Sequence, residues 1–333
     1  MRANPKGFLG VKPLNSFRGP GESEPPGLLV LLVTKVHKEV ILINGIIIVN
    51  KEQDFTSHDV VAVMRKILGT KKVGHTGTLD PQATGVLPIC VGKGTKVSDM
   101  LMCSDKEYIA RVRLGITTDT QDIWGEVLTE SDCSHITEDM VIDAAKKFVG
   151  EISQTPPMYS AVKIGGKKLY EYARSGIEVE RKSRTVTIHS IGISDFENGE
   201  FSMRVSCSKG TYIRTLCADI GESLGVGATM TALVRTKSAM FDLSNAKTLD
   251  EIRAIAEGGD IKNLIIPTDA VFANLPEIHL DQKRTAQILN GMFLETDLAD
   301  GQYRVYGSQG DFLCVGKVEN NILKIVKNFY AGN

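Results

Sequence analysis

Residues 74–85 read Gly74-His75-Thr76-Gly77-Thr78-Leu79-Asp80-Pro81-Gln82-Ala83-Thr84-Gly85. A carboxylate, an imidazole and several hydroxyls lie between glycines. Such a loop can bring its backbone close to a ligand. Pro81 biases Asp80 toward extended backbone and so restricts the direction of its carboxylate. Two roles stay open at this point. Asp80 is either a reacting group or a helix N-cap with Pro81 at the first helical position. A second cluster, Lys209-Gly210-Thr211-Tyr212-Ile213-Arg214-Thr215-Leu216, places an arginine between a strand and a helix. Arg214 could pair with a carboxylate and stack on a base, or be a surface residue at a helix start. Nucleotide-binding motifs fit poorly. Gly92-Lys93-Gly94 lacks the Ser or Thr that follows a P-loop lysine, and Gly225-Val226-Gly227-Ala228 lacks the third glycine of a dinucleotide fingerprint.

The elements that must position these residues are readable from periodicity. Residues 45–50 form a β-branched run, a buried strand. Val60, Val63, Met64, Ile67 and Leu68 have helical spacing over 59–68, with Ser57 as N-cap and Gly69 as terminator. Along 106–114, Tyr108, Ala110, Val112 and Leu114 share one strand face. A helix is expected over 137–149. Phe201, Met203, Val205 and Cys207 alternate as a strand, and 215–224 reads as a helix closed by Gly225. Strands and helices without strict alternation indicate an α+β fold, not a doubly wound sheet. Beyond about residue 265, a helix near 282–290 precedes short strands (303–305, 312–315, 322–326) separated by glycines, a small β-barrel-like unit. The expected division is residues 1–42, a Pro- and Gly-rich disordered or artefactual extension; 43–265, the α+β domain that carries both clusters; and 266–333, the β unit.

Composition narrows the function classes. The 333 residues are 42% hydrophobic and 24% charged, which excludes a wholly disordered chain. No apolar run reaches the roughly 18–20 residues of a membrane span. Six cysteines without a C-x-x-C pair argue against a disulfide framework and a zinc ribbon, and the six histidines show no ligand spacing. The reading is reduced thiols in a cytoplasmic protein with no metal site. The net charge is −1, yet Lys163, Lys167, Lys168, Arg174, Arg181, Lys182 and Arg184 outnumber Glu171, Glu178 and Glu180 between 161 and 185. Arg65, Lys66, Lys71 and Lys72 form another basic group. A near-neutral chain can thus carry a face able to hold phosphates.

The loop at 74–85, extended through Val86-Leu87-Pro88, resembles the signature of the bacterial tRNA pseudouridine synthase B (TruB) family. The resemblance continues in Lys106-Glu107-Tyr108, in residues 114–120, 154–163 and 210–216, and in Leu233-Val234-Arg235-Thr236, all in the family's order over roughly 43–330. Ala239 stands where the family commonly has glycine, and Thr229 where it commonly has histidine. The resemblance implies a pseudouridine synthase catalytic domain with a mixed β-sheet and central cleft, followed by a PUA-like RNA-binding domain. The implied activity is isomerisation of uridine to pseudouridine in the T-loop of tRNA, at the position called 55.

The resemblance also assigns roles. Asp80 is the catalytic aspartate. Tyr108 is the tyrosine that stacks on the flipped base and a candidate base. Arg214 is the partner of the carboxylate. His75 fills the space left by the flipped nucleotide, and Lys51 supports the loop. Gly74, Thr78, Lys209 and Tyr212 are the further substrate contacts. The chemistry asks for these types without a cofactor. The target base must leave its stack. A carboxylate can attack C1′ or take a proton from C2′, and an aromatic face can hold the detached uracil while it turns. The expected partner is tRNA, gripped at the T-arm and acceptor end, with no membrane and no obligate protein partner for a monomer. Two other readings stand beside this one: a guide-RNA-dependent synthase, which typically has Lys-Val where this chain has Gln82-Ala83, and a tRNA-folding chaperone.

Overall fold

The computed structural model describes residues 43–330; the expectation of a disordered or artefactual extension over 1–42 lies outside the described residues. Seven strands form the path of the main sheet: β1 (Gly45–Lys51), β3 (Thr84–Val91), β12 (Ala228–Ser238), β4 (Lys106–Leu114), β11 (Glu200–Cys207), β10 (Arg184–Glu197) and β7 (Gly150–Gln154), in that spatial order. β2 (Val73–His75) adds to β3 and β13 (Phe241–Asp242) to β12. Only β3 and β12 pair in parallel, so the sheet is mixed as expected. Small hairpins are β5 (Ile116–Thr118) with β6 (Val127–Glu130), and β8 (Lys163–Ile164) with β9 (Lys167–Lys168).

The helices have identifiable causes. α1 (Ser57–Leu68) begins with a capping box between Thr56 and Asp59 and ends at Gly69 in the left-handed region. The cap is therefore Thr56, not Ser57. Ser57 instead bonds the backbone of Leu79 in both directions, accepting from its N–H at 2.9 Å and donating to its carbonyl at 3.3 Å. α2 (Ser98–Met102) follows a 3-10 turn over Gly92–Val97. α3 (Glu138–Lys146) starts at Thr137, whose hydroxyl accepts from Met140. α4 is Leu169–Arg174, α5 is Ile213–Ser223 and α6 is Leu249–Glu257. α5 begins two residues before the expected start, which takes Arg214 into its first turn.

Three apolar clusters hold the sheet. α3 and α5 cover the β4, β11 and β12 region through Phe201, Met203, Leu216 and Ile220. α1 and α6 cover β1 and β3 through Val60, Met64 and Ile252. The third cluster joins the main sheet to the C-terminal strands. Ile46, Ile48, Val86 and Cys90 pack with Phe272, Val315 and Phe329. The C-terminal sheet has the order β14 (Glu277–His279), β16 (Gly301–Tyr306), β17 (Phe312–Glu319), β18 (Ile322–Asn328) and β15 (Leu294–Glu295), with α7 (Gln282–Leu289) after β14. No described helix is long and apolar enough to cross a membrane.

The two family departures have structural meanings. Ala239 has φ 56, a left-handed conformation that favours glycine. Thr229 is fully buried, with its hydroxyl 3.3 Å from that of Thr118, so it is a core position and not a surface contact.

Candidate active site

The loop after β2 crosses over to β3 without forming a helix. Asp80 is not an N-cap; its carbonyl accepts from Ala83 in a tight turn at 3.1 Å. The loop is anchored from beneath. Leu79 is buried in the main core and tied to Ser57. The Lys51 ammonium, fully buried at the end of β1, donates to the carbonyls of Pro81 (3.0 Å), Phe55 (2.6 Å) and Glu52 (2.9 Å). Burial pulls the Lys51 amine down to about 8, against the opposing charges of Asp80 and Asp54. At the far end of the loop, Gly85 has φ 104 and lies against β12: a Cβ there would sit 2.3 Å from the Arg235 carbonyl oxygen. Only glycine fits this crossing.

Held this way, Asp80 faces Arg214. A guanidinium nitrogen of Arg214 lies 3.1 Å from Asp80 Oδ2; the arginine side chain is 6% exposed, the carboxylate 49%. The same guanidinium donates to the carbonyls of Thr120 (2.9 Å) and Tyr159 (2.8 Å) and pairs with Asp122 at 3.2 Å. Three partners on two neighbouring segments thus fix one fork, which leaves Asp80 as the partner open to solvent. The start of α5 is held too. The Tyr212 N–H donates to Gln154 Oε1 at 2.7 Å, and the Gln154 amide donates back to the Tyr212 carbonyl at 3.0 Å.

These groups line a cleft of about 390 Å³, in the range of small-molecule or nucleotide sites. Asp80, Tyr108, Arg214, Thr78 and Tyr212 all lie on it, so five of the expected site residues meet in one place. Lys51, His75, Gly74 and Lys209 do not line it. Lys51 lies under the loop. Gly74 and His75 belong to β2 and pair with Cys90 and Ile89. The half-buried His75 accepts from the Gly77 N–H at 3.3 Å and meets His58 edge-on. Burial, and then His58 and Arg235, hold its imidazole below the ordinary value. Lys209 turns to the Cys103 sulfur, 3.1 Å away.

The cleft contains cations that were not among the expected site residues, although Arg184 belongs to the basic stretch between 161 and 185. Arg235 is 1% exposed, donates from Nε to the Val86 carbonyl (2.7 Å) and from Nη2 to Gly77 (3.2 Å), and pairs with no carboxylate among the described residues. It is the cross-strand neighbour of Tyr108. Burial pushes the Tyr108 phenol above its ordinary value, and the Arg235 charge pulls it back. Lys106, two residues before Tyr108 on the same strand face, also lines the cleft. Burial, then Arg235, pulls its amine down to about 8. Arg184 stacks 4.7 Å over the Tyr212 ring and bonds the Gly210 carbonyl. Among the described residues Asp80 is the one carboxylate lining the cleft, set among Lys106, Arg184, Arg214 and Arg235. Period two along β4 and β12 was the available signal: it puts Lys106 with Tyr108, and Arg235 with Leu233.

The family model for the N-terminal domain of TruB family pseudouridylate synthases matches residues 65–213. That for the C-terminal domain of tRNA pseudouridylate synthase B matches 214–273, and that for the C-terminal part of pseudouridine synthase II TruB matches 276–324. The tRNA pseudouridine synthase B of Bacillus pumilus is 49% identical over 259 residues, 76% of this chain and 84% of that protein. The enzyme of the same name from Clostridium tetani is 45% identical over 290 residues, 85% and 99% of the two chains. Among solved structures, a chain of a Cbf5-Nop10-Gar1 complex superposes with a TM-score of 0.64 at 29% identity, covering 86% of this chain and 85% of its own. The archaeal box H/ACA sRNP Nop10-Cbf5 complex gives 0.63 at 26%, covering 88% of each. By sequence and by fold, the chain belongs to the TruB family of pseudouridine synthases.

Proposed function

We propose that this protein converts uridine to pseudouridine in tRNA, at position 55 of the T-loop, with Asp80 as the catalytic carboxylate. The observation that carries the reading is the Asp80–Arg214 pair at 3.1 Å, open to a cationic cleft that also holds the Tyr108 ring. A cleft with one carboxylate among four cations suits a phosphate-bearing substrate and a single reacting anion. A uridine inside a folded loop must be flipped out to reach it.

The isomerisation balances without a co-reactant. The N1–C1′ bond breaks, the uracil turns, C5 bonds to C1′, and the C5 proton is replaced by one on N1. Asp80 serves either as nucleophile at C1′ or as the base that takes the C2′ proton. Arg214, held by Thr120, Tyr159 and Asp122, fixes where that carboxylate points. Tyr108 offers a ring face to the detached uracil and an oxygen to the C5 proton. Thr78 and Tyr212 are contacts on the cleft wall, and Lys51 acts as a positioning residue beneath the loop. His75, Gly74 and Lys209 contact RNA outside the cleft. Residues 43–265 form the catalytic domain, and 266–333 a PUA-like unit that holds the acceptor end of the tRNA.

The test uses an unmodified tRNA transcript, with carbodiimide mapping of pseudouridine. Wild-type protein should modify one T-loop uridine. Asp80→Asn should lower the single-turnover rate by about 10²–10⁴-fold or more, the scale of a lost acid–base or nucleophilic group, while still binding the transcript. Appreciable pseudouridine from Asp80→Asn would end the assignment.

A further inference from the structure

The segment Gly92-Lys93-Gly94-Thr95-Lys96, which is not a P-loop, takes no part in the cleft. It forms the 3-10 turn after β3, and two bonds fix its surroundings. The Gly92 N–H donates to the Lys72 carbonyl at 2.8 Å, which brings the turn before β2 alongside. The Lys96 ammonium donates to the Asn328 carbonyl at 2.9 Å, which brings the end of β18 alongside. Lys72, Lys93, Lys96 and Lys327 therefore converge from three segments, one of them in the C-terminal sheet. Burial depresses the Lys96 amine below its ordinary value, and the charges of Lys72, Lys93 and Lys327 depress it further. The ammonium groups of Lys72, Lys93 and Lys327 have neither an ion-pair nor a hydrogen-bond partner among the described residues.

Like charges gathered on one face repel, and salt screens them only partly at contact range. An array of anions relieves that repulsion. Residues 70–72, 92–96 and 327–328 include no aromatic side chain, so the face has nothing on which to stack a base and suits phosphates instead. The six-residue step along β3 from Gly85 to Val91, at about 3.4 Å per residue, sets the face about 20 Å from the end of the catalytic loop. One nucleotide cannot reach both places, whereas a continuous RNA backbone can.

We propose that Lys72, Lys93, Lys96 and Lys327 form a phosphate-binding face at the junction of the two sheets, which grips the RNA backbone about 20 Å along β3 from Gly85, the far end of the catalytic loop. This rests on the reading that the substrate is tRNA. The test is a salt series of binding constants for an unmodified tRNA transcript. The proteins are wild type, the triple variant Lys72→Gln, Lys93→Gln, Lys327→Gln, and the matching triple Lys→Arg. Lys96 is kept, so its bond to Asn328 survives, and melting temperatures are recorded for all three. The Gln triple should bind about tenfold more weakly at ~0.15 M salt. Its plot of log affinity against log salt should be shallower by about 2, since each phosphate left without its lysine lowers the slope by about 0.7–0.9. The Arg triple should match wild type in both. An unchanged affinity and slope in the Gln triple would overturn the proposal. So would an Arg triple as weak as the Gln triple, because charge would then not be the cause. Wild-type protein that binds the transcript but forms no pseudouridine would sink the proposed function, and the salt series would still decide the lysine face.

Discussion

Lys106 shows how a buried charge can serve a site without reacting in it. It is 7% exposed, and its ammonium donates to the carbonyls of Leu101, Met102 and Ser104 around the end of α2. A cation there satisfies orphan carbonyls and complements the negative helix end. It thereby holds Met102, which forms part of the cleft wall. The cost is desolvation, which brings the amine from 10.5 down to about 8. The sign follows from proton counting. Between about pH 8 and 10.5 the unfolded chain binds this proton and the folded chain has released it, so stability rises with pH through that window. Relative to Lys106→Met, wild-type protein should gain about 2 kcal/mol in unfolding free energy between pH 8 and 9.5. Urea titrations at the two pH values would read this, and a gap that stays constant would rule out the depressed amine. Asp80 and Arg214 stand out in sequence through the motifs that resemble the family; residue type and spacing alone leave an N-cap and a surface arginine open. Period two puts Lys106 on the Tyr108 face and Arg235 on the Leu233 face, but it does not say whether that face meets water or a cleft; Asp122, in the turn between β5 and β6, has no periodic signal at all.

The loop depends on where strands cross. β3 and β12 meet in parallel at Thr84 and Gly85 against Val234 and Arg235, and that pairing places Arg235 behind the loop that carries Asp80. Gly85→Ala would put a methyl 2.3 Å from a backbone oxygen at φ 104. Both the clash and the backbone strain oppose it, so a loss of about 3 kcal/mol or more is expected, together with reduced single-turnover rate. Thermal melts and rates on the same samples would check this; a folded, fully active variant would refute so close a crossing. Ala239 is the converse case. At φ 56 it carries left-handed strain that glycine does not, so Ala239→Gly should stabilise by about 0.5–1 kcal/mol, and a lower melting temperature would contradict that. Elements with one buried face were readable from periodicity, as with β4, β11 and α1. β10 was not: Val186 and Ile188 alternate, as do Ile191 and Ile193, but irregularities between Ile188 and Ser190 and between Ser194 and Glu197 break the period along its 14 residues. α5 started early because its first turn is held by Gln154 from another strand and not by a local cap.

The C-terminal strands share a core with the catalytic sheet. Val315 and Phe329 pack into one cluster with Ile46, Ile48, Val86 and Cys90, and Phe272 packs among them with its ring tilted against Phe312 and Phe329. The backbone joins there as well: Ile46 and Ile266 exchange hydrogen bonds of 2.9 and 2.8 Å. Turn glycines and short strands suggest a free-standing unit, because sequence spacing carries no sign of which apolar side chains face a neighbouring sheet. A shared core predicts shared unfolding. The chain has one tryptophan, Trp124, whose backbone N–H donates to Asp122, the partner of Arg214. Its fluorescence therefore reports the active-site end, far in sequence from Phe329. Phe329→Ala should cost about 3 kcal/mol, the usual scale of a buried phenylalanine truncation. In urea, the Trp124 transition and the far-UV circular dichroism transition should move together to a lower midpoint. If Trp124 keeps its wild-type midpoint while the dichroism gains an earlier phase, the C-terminal sheet unfolds alone. Deleting it would then weaken RNA binding without disturbing the catalytic loop. If the two signals shift together, loss of the C-terminal sheet exposes the back of β1 and β3, and the Asp80 loop, strung between β2 and β3, loses its support.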